Sequence, residues 1–201
     1  MRYGMVIDLN RCVGCDACTF ACKQKNGTAS GVYWCQVLKS ETGSYPNARP
    51  SYTPLLCMHC ASPACVDVCP TGASVKRADG IVYIDQDKCI GCRACILACP
   101  YEARSFSKKF RGYYPDKGPT AYETLQQEGK VKGTVSKCNL CLDLIETGGI
   151  PACVQTCPSS ARFFGDLDDP ESQVAKLIAS RGGYQLYPEI GTDPSVYYLS
   201  G

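Results

Sequence analysis

Residues 89–100 read Cys-Ile-Gly-Cys-Arg-Ala-Cys-Ile-Leu-Ala-Cys-Pro, so four cysteines are spaced C-x2-C-x2-C-x3-C. Residues 12–22 repeat the same spacing. A glycine lies inside each run, at Gly14 and Gly91, where a side chain would hinder a turn of positive φ or a close approach of the backbone. Pro100 follows the run at 89–99 and predicts that the short helix there ends before it. Tight loops rich in thiols therefore decide the fold of this chain.

Sixteen of the seventeen cysteines in the 201 residues fall into four quartets. The second quartet is spaced C-x2-C-x4-C-x3-C, and the fourth has eleven residues between its second and third members. In chain order the quartets are Cys12, Cys15, Cys18 and Cys22; Cys57, Cys60, Cys65 and Cys69; Cys89, Cys92, Cys95 and Cys99; and Cys138, Cys141, Cys153 and Cys157. Cys35 is left over, and its strand-like surroundings predict a buried free thiol.

The C-x2-C-x2-C-x3-C-P spacing is typical of 4Fe-4S clusters in bacterial ferredoxins. Three thiolates two residues apart can reach three corners of one cube, and the fourth cysteine ligates the other cluster of a two-cluster unit. We therefore expect four 4Fe-4S clusters, with iron bound by all sixteen cysteines. Because every quartet is full, no iron is left open for a substrate. The sequence thus predicts electron transfer and no catalytic residue on this chain.

Other uses of the cysteines are weighed against this interpretation. A disulfide framework suits a small secreted chain, but the cysteine number is odd. Structural zinc uses two C-x2-C pairs a dozen or more residues apart, which only the fourth quartet resembles, so zinc is an alternative there. The single histidine, His59, lies inside a complete quartet. We expect it to hydrogen-bond near a cluster or near a boundary between subunits rather than to ligate iron.

The charge balance limits the possible partners. Lys and Arg number 21 against 19 Asp and Glu, and the formal net charge of +2 excludes a strongly basic nucleic-acid-binding protein. Each oxidised cluster with its thiolates carries about −2, so loading shifts the net charge to roughly −6. Four cations beside the ligands are candidates to offset this charge, with a solvated surface charge as the alternative for each: Arg11, Lys23, Lys88 and Arg93.

The quartets predict an α+β fold of two bacterial ferredoxin-like units, one nested inside the other. Quartets two and three form the inserted unit, residues 51–107. Quartets one and four, far apart in sequence, form the terminal unit from residues 1–50 and 130–168. Residues 108–129 are predicted to be a surface excursion, rich in turn residues such as Pro115 and Gly129. Residues 169–201 are predicted to form a helix and an extended docking arm.

Local patterns predict several elements. Strands are expected at 5–8, 32–39, 81–84, 103–107 and 162–164, with another short one after Gly72. A helix is expected to begin with Asp169 as its N-cap and Pro170 in first position, with Val174, Leu177 and Ile178 on one apolar face. The stretch 184–199 is expected to be extended, either packing on its own domain or docking another subunit.

The sequence shows no apolar run near the ~18 residues of a membrane helix, so no direct membrane span is expected. The first nine residues lack the apolar run of a signal peptide, and no twin-arginine segment precedes Cys12. If the protein works outside the cytoplasm, we expect it to travel with a partner that carries the signal.

Beyond the quartets, the chain resembles the electron-transfer subunits of the dimethyl sulfoxide reductase family, which serve molybdenum or tungsten bis-pterin enzymes. The resemblance covers nearly the whole chain. It is closest to subunits of polysulfide, thiosulfate and respiratory arsenate reductases. The segments that carry it are Met5-Val-Ile-Asp, Cys69-Pro-Thr-Gly-Ala, Cys99-Pro-Tyr, Pro151-Ala-Cys-Val, Cys157-Pro, Gly165-Asp-Leu-Asp-Asp-Pro and Pro188-Glu-Ile-Gly-Thr.

This resemblance implies how the cysteines pair. Cluster 1, nearest the pterin subunit, would use Cys12, Cys15, Cys18 and Cys157; cluster 2 would use Cys22, Cys138, Cys141 and Cys153; cluster 3 would use Cys57, Cys60, Cys65 and Cys99; and cluster 4 would use Cys69, Cys89, Cys92 and Cys95. Some relatives have Trp at the second cysteine of the third motif and carry a three-iron cluster. Cys92 stands there in this chain, so four cubes are expected.

The resemblance also implies partners. These are a large molybdopterin catalytic subunit, which holds the bis-pterin Mo or W cofactor, and a membrane quinol-oxidising subunit. The complex would be membrane-associated, on the extracytoplasmic side by co-export with the catalytic subunit; a cytoplasmic location is the alternative. A free soluble polyferredoxin that carries electrons between enzymes is the second hypothesis of function.

Overall fold

The structure is a computed structural model that describes residues 1–109, 112–114, 116–128 and 130–200. Short strands mix with short helices, as expected for an α+β chain. The strands are β1 Tyr3–Asp8, β2 Cys35–Thr42, β3 Arg49–Leu56, β4 Ser74–Lys76, β5 Val82–Ile84, β6 Ser105–Phe106, β7 Val135–Ser136, β8 Arg162–Asp166 and β9 Val196–Leu199. The helices are α1 Ala17–Asn26, α2 Ala64–Asp67, α3 Ala94–Leu97, α4 Ala121–Gln127, α5 Leu142–Glu146, α6 Ala152–Gln155 and α7 Gln173–Arg181, with a 3-10 turn at Pro188–Ile190.

A three-stranded sheet in the order β8-β1-β9 joins distant parts of the chain. Val6 in β1 lies opposite Phe163 in the antiparallel β8 and opposite Tyr197 in the parallel β9. Met5, Val6 and Ile7 are completely buried, because the sheet is covered on both faces. The strands expected at 5–8 and 162–164 are thus confirmed, each slightly longer than its prediction.

The remaining strands pair as three two-stranded ribbons, β2-β3, β4-β5 and β6-β7. The strand expected at 32–39 begins only at Cys35 and continues to Thr42, and its partner β3 was not predicted. Asp79 Oδ1 accepts from the Ile81 N–H at 3.1 Å in the turn between β4 and β5. Ribbon β6-β7 fixes residues 105–106 to 135–136, on either side of the predicted excursion.

The start of helix α7 differs from the prediction. The N-cap is Ser172, whose hydroxyl accepts from the Ala175 N–H at 3.2 Å, and the helix begins at Gln173. Asp169 instead accepts from the N–H of Glu171, which closes a turn containing Pro170. The predicted apolar face is confirmed: Val174 is fully buried and packs with Leu199 and Val6.

The segment predicted as an excursion contains helix α4, which was not expected. Thr120 and Glu123 form a capping box, in which Thr120 Oγ1 accepts from the Glu123 N–H and Glu123 Oε2 accepts from the Thr120 N–H. The other Glu123 oxygen accepts from the Tyr113 N–H at 2.6 Å. Of the turn residues predicted here, Pro115 and Gly129 lie outside the described residues.

The C-terminal arm packs on its own chain. It ends in β9, where Tyr198 is fully buried and donates its hydroxyl to the Pro54 carbonyl at 2.8 Å. Before β9, the Ser62 N–H donates to the Thr192 carbonyl at 3.0 Å, so the arm also crosses residues 57–62. The strand therefore packs on its own domain, which is one of the two expectations for residues 184–199. Subunit docking stays a prediction for its exposed side chains, such as Ile190.

Candidate functional site

The structure gathers twelve of the sixteen quartet cysteines around three cavities, and in each cavity one of these cysteines comes from a different quartet than the other three. Of the quartet cysteines, Cys22, Cys138, Cys141 and Cys153 line site 2. Site 3 is lined by Cys57, Cys60, Cys65 and Cys99. Site 4 is lined by Cys69, Cys89, Cys92 and Cys95. In each of the three sites the cysteine from the other quartet is the last member of its own quartet: Cys22, Cys99 and Cys69.

A fourth group, site 1, contains Cys12, Cys18 and Cys157. Burial raises the pKa of Cys12, and the neighbouring sulfurs of Cys18 and Cys157 raise it further. Cys15 follows Cys12 in the same loop and is exposed. Cys157 therefore lies with the first quartet, while the other members of its own quartet line site 2. This division separates the four cysteines that the zinc alternative would need together.

The two C-x2-C-x2-C loops have the backbone that their glycines predicted. Gly14 and Gly91 have φ values of +66° and +68°. Asp16 and Arg93, just before α1 and α3, are also left-handed, at 60° and 67°. A Cβ on Gly91 would lie 2.1 Å from the Gly133 carbonyl oxygen, so only glycine fits this close approach.

Backbone N–H groups point at the cysteine sulfurs. Ser74 donates to Cys69 Sγ at 3.4 Å, Ala161 to Cys157 Sγ at 3.3 Å, and Leu140 to Cys138 Sγ at 3.4 Å. Hydrogen bonds to the sulfurs are one of the factors that set the reduction potential of an iron–sulfur cluster. The loops therefore stabilise negative charge at the sulfurs.

The donors at these sites suit iron–sulfur clusters. Each cavity presents four quartet thiols, the ligand set of a 4Fe-4S cluster, which supplies one-electron transfer when bound. Burial raises the pKa of both Cys22 and Cys60 to about 12, so binding a cluster must displace their protons. Within the described ranges, no group of three or more His, Cys, Asp or Glu side chains is arranged around a single metal ion.

Cys35, the cysteine outside the four quartets, is hydrogen-bonded to Cys18 and to Arg162. It is buried and also lines site 2. Its hydrogen bond with Cys18, and then burial, raise the pKa of Cys35 well above its usual value. The same hydrogen bond, with the charge of Arg162, lowers the pKa of Cys18 to about 6 against the effect of burial. Cys35 is therefore a buried thiol, as predicted.

His59 is buried beside site 3. Its Nδ1 accepts from the Val82 N–H at 3.1 Å, and among the described residues its Nε2 has no hydrogen-bond partner. Burial lowers the pKa of His59, so the ring is neutral. The expected hydrogen bond near a cluster site is thus present.

The cations at the sulfurs are not the four that the sequence suggested. Arg11 pairs with Asp8, Lys88 pairs with Asp85, Lys23 donates to the Val32 carbonyl, and Arg93 stacks 3.9 Å above the Phe106 ring. Arg104 Nη2 donates to Cys65 Sγ at 2.8 Å, and Arg162 Nη2 donates to Cys18 Sγ at 3.3 Å. Both arginines are buried, and both end a Cys-Pro-x-x-Ala-Arg segment, at 99–104 and 157–162. That repeat is the signal that sequence analysis missed.

Thiol-lined sites on ferredoxin-type loops define an iron–sulfur electron-transfer protein. Residues 48–113 and 81–158 each match a family described as 4Fe-4S dicluster domain, and residues 9–29 match one described as 4Fe-4S binding domain. No helix within the described ranges has the length and apolar character needed to cross a membrane.

Similar proteins cover the whole chain. A selenate reductase subunit of Mesobacillus selenatarsenatis is 44% identical, over 100% of this chain and 72% of its own length. The arsenate respiratory reductase iron–sulfur subunit ArrB of a Shewanella species is 40% identical over 99% and 96%. A sulfite dehydrogenase subunit of Allochromatium vinosum is 42% identical over 98% and 82%. The chain therefore belongs to the iron–sulfur electron-transfer subunits of the dimethyl sulfoxide reductase family of molybdopterin oxidoreductases, as its motifs predicted.

Proposed function

We propose that this chain conducts electrons through four 4Fe-4S clusters between a large molybdopterin catalytic subunit and a quinol-linked membrane subunit. The grouping of the quartet cysteines around three cavities, with Cys12 beside Cys18 and Cys157, supports this proposal most directly. Clusters 1 to 4 occupy sites 1 to 4, and Cys15 completes the ligands of cluster 1. The bis-pterin Mo or W cofactor belongs to the catalytic subunit. The complex acts in anaerobic respiration on a polysulfide, thiosulfate or arsenate substrate.

The two ferredoxin-like units are nested in this proposal. Residues 1–50 and 130–168 form the terminal unit, and 51–107 form the inserted unit. The pairing of β1 with β8 supports the first unit, as does the proximity of Cys12 to Cys157. All eight cysteines that line sites 3 and 4 come from the second. In this proposal, other subunits contact residues 108–129 and the exposed side chains of residues 169–201.

The order of the clusters follows from which sites are neighbours. Cys153 of site 2 lies near Cys18 of site 1, since the Cys18 charge raises the pKa of Cys153 beyond the effect of burial. The charge of Cys57 of site 3 likewise raises the pKa of Cys138 of site 2 beyond the effect of burial. Arg104 contacts site 3 and neighbours Cys95 of site 4. Electrons therefore pass in the order 1, 2, 3, 4 or the reverse.

Both ends of this path reach the surface. Cys15 at site 1 is exposed, as are the neighbouring Val13 and Phe20. Cys92 at site 4 is exposed, as is the neighbouring Ile90. Exposed apolar side chains around a ligand suit a contact with another subunit. We assign the site 1 end to the catalytic subunit and the site 4 end to the membrane subunit, in a complex on the extracytoplasmic side.

Native size-exclusion chromatography separates this proposal from a free polyferredoxin. A bound subunit elutes with a large chain that contains a pterin and Mo or W. A stable iron-loaded monomer without that chain favours the free carrier. Detection of a quinol-oxidising membrane chain in the same fraction tests the second partner. The location of the complex is tested by adding a protease to one side of the membrane and then to the other.

The direction of the path is tested with paired ligand variants that still assemble. Cys15→Ser at site 1 should stop transfer into or out of the catalytic subunit. Cys95→Ser at site 4 should spare activity with dyes that reach the catalytic subunit directly and abolish activity with quinol. Full quinol activity in an assembled Cys95→Ser complex would refute the path through site 4.

A further inference from the structure

Among the residues that the structure describes, three cationic side chains are buried: Arg104, Lys137 and Arg162, each no more than 5% exposed. Burying a charge is costly unless opposite charge or several hydrogen bonds compensate for it. Neither arginine has an Asp or Glu partner among the ion pairs of the described residues. The compensation has to come from the groups that these cations contact.

Arg104 lies between sites 3 and 4. Its Nη2 donates to Cys65 Sγ of site 3, and its Nη1 donates at 2.7 Å to the hydroxyl of Ser74, which lines site 4. Burial lowers the pKa of Arg104, but the negative charge of Cys65 and of Cys95 raises it above its usual value. Its guanidinium therefore faces ligands of two different clusters.

Arg162 has the corresponding position between sites 1 and 2. Its Nη2 donates to Cys18 Sγ of site 1 and to Cys35 Sγ, both at 3.3 Å. Against burial, Cys35, then Cys153 of site 2, then Cys18 raise its pKa. The shared Cys-Pro-x-x-Ala-Arg segment explains the likeness, because each arginine comes five residues after a ligand that closes a two-cluster unit.

Lys137 lies at the remaining junction, between sites 2 and 3. Its Nζ donates to the carbonyl of Cys138, a ligand of site 2, at 2.6 Å. It also donates to the carbonyl of Val82, which lines site 3. The two units thus meet across one buried ammonium group.

We propose that Arg162, Lys137 and Arg104 are potential-setting residues that place one fixed positive charge at each junction of the four-cluster path. The inference rests on the proposed function, because it needs a cluster at each site. When an electron moves, one cluster gains the charge that its neighbour loses. A buried cation between them stabilises the reduced form of both, since the attraction is stronger inside the protein than in water. It also reduces the repulsion between two adjacent reduced clusters.

An exposed cation close to a ligand in sequence should not have this effect. Lys88 adjoins Cys89 of site 4 but is mostly exposed and paired with Asp85. Water and salt screen such a charge. Lys88→Gln is therefore the matched control, with the same loss of one charge near the same cluster.

The test is a redox titration of the intact complex, followed by electron paramagnetic resonance. Arg104→Gln is expected to lower the one-electron reduction constant of clusters 3 and 4 at least tenfold, which is about 59 mV. Clusters 1 and 2 should move much less. Arg104→Lys should keep at least half of the wild-type stabilisation, and Lys88→Gln should leave all four potentials nearly unchanged.

Iron analysis distinguishes a failure of the proposed function from a failure of this inference. If the wild-type chain binds fewer than four cubes, the proposed function fails. If Arg104→Gln binds the full iron content with unchanged potentials, this inference is overturned. Should Arg104→Gln lose iron, Lys137→Gln decides: lower potentials for clusters 2 and 3 support the inference, and unchanged potentials overturn it. If Arg104→Gln and Lys137→Gln both lose iron but Arg104→Lys does not, these cations are needed for cluster assembly. That result would also overturn the inference.

Discussion

Replacing Gly91 by alanine should damage site 4 more than replacing Gly72, although both glycines have positive φ. Gly91 lies in the loop that lines site 4, and Gly72 lies between two residues that line it. Their φ values are +68° and +64°. A Cβ on Gly91 would lie 2.1 Å from the Gly133 carbonyl oxygen, whereas a Cβ on Gly72 would have nothing within 4 Å.

The difference in free energy can be estimated from these two environments. A left-handed alanine costs about 1–2 kcal/mol at either position. Only at Gly91 does overpacking add about 1–3 kcal/mol. The Gly133 backbone cannot easily retreat, because its N–H donates to the Ser107 carbonyl at 3.1 Å. For a chain of this size each kcal/mol lowers the melting temperature by about 2–4 °C, so Gly91→Ala should melt about 2–12 °C below Gly72→Ala.

The assay is anaerobic heating of both variants at one fixed rate, with the visible absorbance of the clusters as the signal. Iron content before heating shows whether each variant was fully loaded. Equal melting temperatures for the two fully loaded variants, or a lower one for Gly72→Ala, would show that the close approach to Gly133 does not limit this loop.

Two further predictions concern single atoms. Cys92→Ser should leave the protein assembled and convert one cube to a three-iron form, which gives a new electron paramagnetic resonance signal in the oxidised protein. The control Cys35→Ser should change no cluster count. Full iron content and a silent spectrum in Cys92→Ser would refute Cys92 as a ligand. Tyr198→Phe removes the donor to the Pro54 carbonyl and should lower the free energy of unfolding by about 0.5–1.5 kcal/mol in denaturant titration, whereas Tyr45→Phe, on an exposed side chain, should not.

The loops and the sheet core were predictable because their signals are local. Cysteine spacing limits which thiols can reach one cavity, and the positive φ of Gly91 follows from its place in the loop. The apolar run at 5–7 and the run at 162–164 identified two strands of the sheet. The capping box at Thr120 and Glu123 was equally local, so α4 could have been predicted from the same kind of signal.

Features that depend on a competing turn or on distant parts of the chain were not predictable in the same way. Asp169 suits an N-cap in isolation, but Ser172 is the residue whose hydroxyl accepts from α7, because Asp169 closes the preceding turn. Whether the arm at 184–199 packs or extends depends on its parallel pairing with β1, far away in sequence. The roles of Arg104 and Arg162 depend on burial beside Cys65 and Cys18, and only their repeated segment was visible beforehand.

The most direct test of the four-cluster path is an iron and acid-labile sulfide analysis of the anaerobically purified chain, with zinc measured in the same sample. Four cubes on sixteen cysteines predict about sixteen iron and about sixteen sulfide per chain, with no stoichiometric zinc. About eight iron per chain, or one zinc per chain in place of a cube, would contradict the four-cluster path.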